Sequence, residues 1–128
     1  MRLLLDTCTF LWAVSDPDRL PARVVELLLA PDHEAFVSAA SAWEIVIKTG
    51  TGRLSIRGAA DRFVREQREI AGFAALPIDE ESALHVSRLP GLHRDPFDRV
   101  LVSQAIVHGL TILTPDPLIT QYPARTTW

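Results

Sequence analysis

Arg2-Leu3-Leu4-Leu5-Asp6, at the start of the chain, is a four-residue apolar-ended run closed by a carboxylate. Three consecutive leucines with no polar alternation read as a buried strand of a parallel sheet, covered on both faces. Leu110-Thr111-Ile112-Leu113-Thr114 repeats the pattern near the other end and delivers Asp116 two residues later. In an open α/β sheet the ligand crevice lies at the carboxyl ends of the strands, so acids at two such ends are placed to meet.

Three more acids sit beside apolar runs. Glu44 lies within Ser41-Ala42-Trp43-Glu44-Ile45-Val46-Ile47, where a helix has little polar face to offer it. Asp95 and Asp98 are three residues apart in Arg94-Asp95-Pro96-Phe97-Asp98-Arg99, just before the helix-like run Val100 to Val107, and so belong at or near a helix N-terminus. Convergence of such groups costs on the order of 4 kcal/mol per pair at ~4 Å with an effective dielectric near 20. Either some of them are protonated, with raised pKa values, or a cation is bound among them. Carboxylates nearly without sulfur or imidazole suit a hard ion, Mg²⁺ or Mn²⁺.

The alternation of elements implies a mostly parallel α/β sheet. Strands are predicted at 2–5, 35–38, 74–78, 111–114 and 125–128. Helices are expected from Pro21 to Ala30, Ala39 to Thr49 and Ala60 to Ala71, and one capped by Asp79 runs to about Leu89. Pro90-Gly91-Leu92-His93-Arg94 is the loop that delivers Asp95 and Asp98. With 128 residues, 48% hydrophobic and 23% charged, the chain fits one domain, 1–128, with one core and no linker. It has neither a leader pattern nor an apolar run of about 20 residues, so the expectation is a cytoplasmic protein away from membranes. The single cysteine, Cys8, forms no internal disulfide and reads as a small packed hydrophobe after the first strand. A formal net charge of −3 argues against gripping nucleic acid by bulk electrostatics. Arg57, Arg62, Arg65 and Arg68 form either a phosphate-facing patch or a solvated helix face paired locally with Glu66 and Glu69.

Taken together, Leu3-Leu4-Leu5-Asp6-Thr7, Ser38-Ala39-Ala40-Ser41-Ala42-Trp43-Glu44-Ile45, Asp95-Pro96-Phe97-Asp98-Arg99 with Gln104-Ala105, and Thr114-Pro115-Asp116 are specific in this order and in so short a chain. They resemble the PIN-domain ribonucleases over nearly the whole length, most closely the VapC toxins of bacterial toxin–antitoxin pairs. The resemblance implies a three-layer sandwich around a central parallel β-sheet, and an acidic pocket binding Mg²⁺ or Mn²⁺. It implies a metal-dependent ribonuclease that hydrolyses RNA phosphodiester bonds and inhibits translation when released from a VapB-like antitoxin, and it implies a homodimer. Asp6, Glu44, Asp98 and Asp116 match the family's acidic quartet. Asp6 and Asp98 are the expected principal metal ligands, Glu44 a ligand through water or a general base, and Asp116 a second-site or water-mediated ligand.

Asp95 is either a supplementary ligand or the cap of the helix carrying Asp98. Thr7 and Thr114 either orient water and carboxylates or are structural, and Ser41 either does similar work or starts a helix. Arg99 and Lys48 either contact phosphate or pair with the acids. His33, His85, His93 and His108 share no metal-binding spacing and read as surface or loop residues. Trp12, Trp43 and Trp128 read as core or interface residues, with base stacking the alternative. Three other functions compete. A Mg²⁺-dependent phosphohydrolase of the haloacid-dehalogenase type expects a second aspartate where Cys8 stands. A receiver-like module expects a late lysine, and Lys48 is the only lysine. An inactive PIN domain acting as a binding module is the third, and the quartet is complete.

Overall fold

The computed structural model describes residues 1–128. Strands β1 (Arg2–Leu5), β2 (Glu34–Ser38), β3 (Ala74–Leu76), β4 (Thr111–Leu113) and β5 (Thr126–Thr127) form one sheet in the order β3-β2-β1-β4-β5. Every pairing is parallel. Helices α1 (Thr7–Ser15) and α2 (Ala22–Leu29) connect β1 to β2, while α3 (Ala39–Gly50) and α4 (Ala60–Ala71) connect β2 to β3. Helices α5 (Glu80–His85) and α6 (Pro96–His108) lead into β4, and the single turn α7 (Pro117–Thr120) leads into β5.

Strand periodicity divides the core in two. Leu4, Phe36 and Ile112 point to one face and pack with Leu101, Val102 and Ala105 of α6. Leu3, Leu5, Val37 and Leu113 point to the other, against Phe10 of α1, Val24 of α2, Ile45 of α3 and Val64 of α4. Full burial of each such aliphatic side chain contributes about 1.5–3 kcal/mol, which explains why strands this short and this apolar hold the centre. The result is the expected three-layer α/β sandwich. Gly72 and Gly109 close α4 and α6 with φ of 77° and 68°, a left-handed cap in which a side chain is strained.

Helices α1 and α7 were not among the sequence expectations, and both are set by the acids. Asp6 caps α1 through Thr9 N and Asp116 caps α7 through Leu118 N. Helix α6 begins at Pro96 rather than near Val100, which puts Asp98 inside its first turn. Strand order reverses between β1 and β4, and at such a switch point neighbouring crossovers leave in opposite directions and open a crevice. Asp6 and Thr114 directly follow the Leu5–Leu113 register pair at that place.

One buried polar tie locks the end of β2. Ser38 Oγ donates to Gln104 Oε1 at 2.6 Å, and Gln104 Nε2 donates to the Pro77 carbonyl at 3.0 Å, with Gln104 fully buried. Gln104→Leu strands both partners and is expected to cost about 1–3 kcal/mol in urea unfolding. No helix is long and apolar enough to cross a membrane.

Candidate active site

Asp6 is 4% exposed. Its Oδ1 accepts from Thr9 N at 2.8 Å and its Oδ2 from Thr114 Oγ1 at 2.5 Å. Thr114 Oγ1 in turn accepts from Asp116 N at 3.0 Å, so one threonine ties the acids of β1 and β4 together. Asp116 Oδ1 accepts from Leu118 N at 2.9 Å.

Helix α3, capped by Ser38, brings in Glu44, also 4% exposed. Thr7 Oγ1 donates to Glu44 Oε1 at 2.6 Å and lies 3.0 Å from the buried Ser41 Oγ, while Lys48 Nζ, one turn along, donates to Oε2. Thr7, Thr114 and Ser41 thus touch carboxylates or each other at the site, and the helix-start role belongs to Ser38. Lys48 pairs with an acid, the second of the two roles open to it.

Helix α6 supplies Asp98. Asp95 is its cap, its Oδ1 accepting from Phe97 N at 2.8 Å and Asp98 N at 3.3 Å. Asp95→Ala is expected to cost about 1 kcal/mol through the lost cap. Asp95→Asn retains the cap and removes only the charge, so urea unfolding of the two variants separates capping from electrostatics.

The pocket is short of positive charge. Burial raises the Asp6 carboxyl above its ordinary value against the hydrogen bonds of Thr114 and Thr9, and repulsion from Asp116 adds to the rise. Asp98 is pushed up to about 6, chiefly by burial, with repulsion from Asp95 and Glu44 adding and the His93 hydrogen bond opposing. Asp6 thus feels Asp116 across β1 and the β4 end, Asp98 feels Asp95 and Glu44 across α6 and α3, and Cys8 stands within electrostatic reach of Asp6, Glu44 and Asp98. A divalent cation removes the penalty, and oxygen donors of this number suit a hard one.

Four expectations need correction, those for Arg99, Cys8, His93 and Trp43. Arg99 neither faces the pocket nor pairs with an acid. Its guanidinium donates to the carbonyls of Pro90, His93 and Val86 and to Tyr122 Oη, clamping the loop before α6. One residue on a helix is a turn of 100°, and that places Arg99 off the face that carries Asp98. Cys8 is exposed rather than packed, because Thr9 and Phe10 take the inward positions of α1. His93 lies in the loop before α6 but is not a surface group: its Nε2 lies 2.8 Å from Asp98 Oδ2, with the ring side chain 13% exposed. His93, Asp95 and Asp98 each present a ligand atom, all within 4.8 Å of one another. The sequence signal was faint, a histidine five residues before an acid across a Pro-bounded loop. His108 is tied to Asp79 at 2.8 Å, away from this cluster.

Trp43 is 61% exposed, contrary to a core role, and its ring meets Phe97 edge-to-face at 5.3 Å. Trp12 and Trp128 are half-buried and pack together at 6.0 Å. A groove of about 300 Å³ beside Trp43 is lined by Arg65 and Arg68. Of the four arginines in that segment only Arg68 forms an ion pair, a loose one to Glu69 at 3.9 Å.

The PIN domain family profile matches residues 3–124, and the chain belongs to that family. Among solved structures, it is similar to VapBC2 from Rickettsia felis bound to a DNA fragment from its promoter, at 16% identity and TM-score 0.72, covering 99% of this chain and 98% of that one. It is also similar to FitAcB from Neisseria gonorrhoeae, at 23% identity and TM-score 0.66, covering 98% and 96%. A third likeness is VapBC-1 from nontypeable Haemophilus influenzae, at 17% identity and TM-score 0.64, covering 99% and 97%. No curated protein matches the chain in a sequence comparison.

Proposed function

We propose that this chain is a Mg²⁺- or Mn²⁺-dependent ribonuclease, a single PIN domain over residues 1–128, acting as the toxin of a toxin–antitoxin pair. The observation that supports the reading is the buried network at the switch point, in which Thr114 ties Asp6 to the Asp116 backbone and Thr7, next to Asp6, holds Glu44, with Asp98 close enough to Glu44 to be repelled by it and both Asp6 and Asp98 held above their ordinary pKa. Asp6 and Asp98 would hold the ion, with Asp116 as a second-site or water-mediated ligand. A bound divalent ion supplies positive charge for the phosphoryl oxygens and acidifies water.

The chain's own groups do the rest. Glu44, its orientation fixed by Thr7 and Lys48, takes the proton of the attacking water as its oxygen bonds to phosphorus, and the P–O3′ bond breaks with the 3′ oxygen taking up a proton from solvent to leave as the hydroxyl. Thr114 keeps Asp6 turned toward the crevice. Arg65 and Arg68 flank the exposed Trp43, one residue from Glu44, and suit a single strand that stacks bases and lays its phosphates on guanidinium groups.

The VapBC and FitAcB assemblies support a VapB-like antitoxin as partner. A basic side chain of that partner placed among these acids silences the pocket. Leu29 at 77% and Ile70 at 78% exposure, on α2 and α4, are candidate homodimer contacts. The testing experiment is cleavage of mixed structured and single-stranded RNA with Mg²⁺ or Mn²⁺ against EDTA, beside an Asp98 variant. Cutting that needs metal and vanishes with the substitution supports the reading; cutting that survives it sinks the assignment of the site.

A further inference from the structure

We propose that His93 is itself a ligand of the cation, making the centre a mixed carboxylate–imidazole site that favours Mn²⁺ over Mg²⁺. The inference rests on the metal site of the proposed function and adds a donor that the acidic quartet lacks.

Geometry supports it first. His93 Nε2 and Asp98 Oδ2 are 2.8 Å apart. Two neighbouring ligands of an octahedral ion with bonds of about 2.1 Å are separated by about 3 Å, the edge of the octahedron. The pair already stands at that spacing. Asp95 spends Oδ1 on the helix cap, and the hydrogen bonds it accepts leave Oδ2 for a third ligand within the 4.8 Å cluster.

The ring is also held in place. The loop that carries it has its carbonyls taken at Pro90 and His93 by Arg99 Nη1, at 3.1 and 3.4 Å, and at Leu92 by Gln121 Nε2 at 3.1 Å. Arg99 Nη2 adds a bond to Val86 O at 3.2 Å. A loop secured from both α6 and the segment after α7 fixes where the imidazole points, which is what a ligand needs and a surface histidine does not. On binding, Nε2 contributes its lone pair and the ring proton resides on Nδ1.

Selectivity follows from donor chemistry. Mg²⁺ demands near-ideal oxygen coordination and gives up water reluctantly; Mn²⁺ also takes oxygen donors, but as a larger first-row transition ion it loses less than Mg²⁺ when one of them is an imidazole nitrogen. Removing the nitrogen therefore weakens Mn²⁺ more than Mg²⁺.

The test loads the full chain with Mn²⁺ and records pulsed electron paramagnetic resonance for coupling to a directly bound ¹⁴N, beside calorimetric titrations of Mn²⁺ and Mg²⁺. Wild type is expected to show the nitrogen coupling. His93→Gln, with its fold checked by circular dichroism, is expected to lose it, to bind Mn²⁺ about tenfold more weakly, and to change for Mg²⁺ by less than about threefold. Bound Mn²⁺ without nitrogen coupling, or coupling that persists in His93→Gln, overturns the role of His93 and leaves the carboxylate site standing, while equal losses for both ions overturn the preference for Mn²⁺. Should wild type bind neither ion, the metal-dependent reading falls, and this inference with it.

Discussion

Asp98→Asn is expected to abolish metal-dependent RNA cleavage while leaving the chain at least as stable as wild type. The amide matches the carboxylate in shape and keeps an oxygen for the His93 contact, and the Asp98 backbone N–H still bonds to Asp95. What disappears is the negative charge that, on the proposed reading, holds a cation. A rate loss of at least about 10²-fold is expected for a ligand or a group that orients one. The stability change runs the other way. Asp98 is pushed up to about 6 from 3.8, so at pH 8 its ionised form carries a penalty from burial and from Asp95 and Glu44. At about 1.36 kcal/mol per pKa unit, relieving it returns up to about 3 kcal/mol in metal-free buffer. Urea unfolding in EDTA and cleavage in Mn²⁺ test both halves. A variant that loses activity because it unfolds contradicts this account of the site, as does a stable variant that still cuts.

That opposition between stability and activity explains which parts of the molecule were legible in the sequence. Runs such as Leu3-Leu4-Leu5 and Ile112-Leu113 satisfy burial and propensity together, and the parallel sheet follows from them. Helix α1 does not. Thr7-Cys8-Thr9-Phe10-Leu11-Trp12 is rich in residues that favour strands, and it is helical because Asp6 caps it and because Thr9 and Phe10 are fully buried. The acids were visible because a carboxylate in an apolar run is costly unless it has work or partners. Their partners were partly visible, since Thr7 and Thr114 adjoin the strands. His93 and Arg99 were misread because their roles depend on how the loop from Pro90 folds back onto α6. Proximity in sequence to Asp98 gave Arg99 a place near the site but not its direction.

Metal removal should therefore steepen the pH dependence of stability. Asp98 and Asp6 have folded-state pKa values above those of the unfolded chain. Between the ordinary carboxyl value and about 6, the folded chain binds more protons than the unfolded one, so in EDTA stability falls as pH rises through that window. Asp79 works in the opposite direction. Hydrogen bonds from Ser82 and His108 hold it below the usual carboxylate range, so its contribution is lost only at lower pH, as it protonates. In EDTA the thermal midpoint should accordingly peak in mildly acid buffer and decline toward neutrality. With Mn²⁺ at 100 times its dissociation constant, the folded state gains about 2.7 kcal/mol at neutral pH. Below about pH 6 protons compete for Asp98 and the gain shrinks, so the metal offsets most of the decline and the slope across the window flattens. Thermal melts from pH 4 to 8, with Mn²⁺ and with EDTA, read this directly. Parallel curves would mean that the cation does not bind where Asp6 and Asp98 are short of positive charge. Curves that diverge as pH rises toward 6, and coincide again in Asp98→Asn, would place the binding of the proposed ion at the carboxylates that burial leaves short of positive charge.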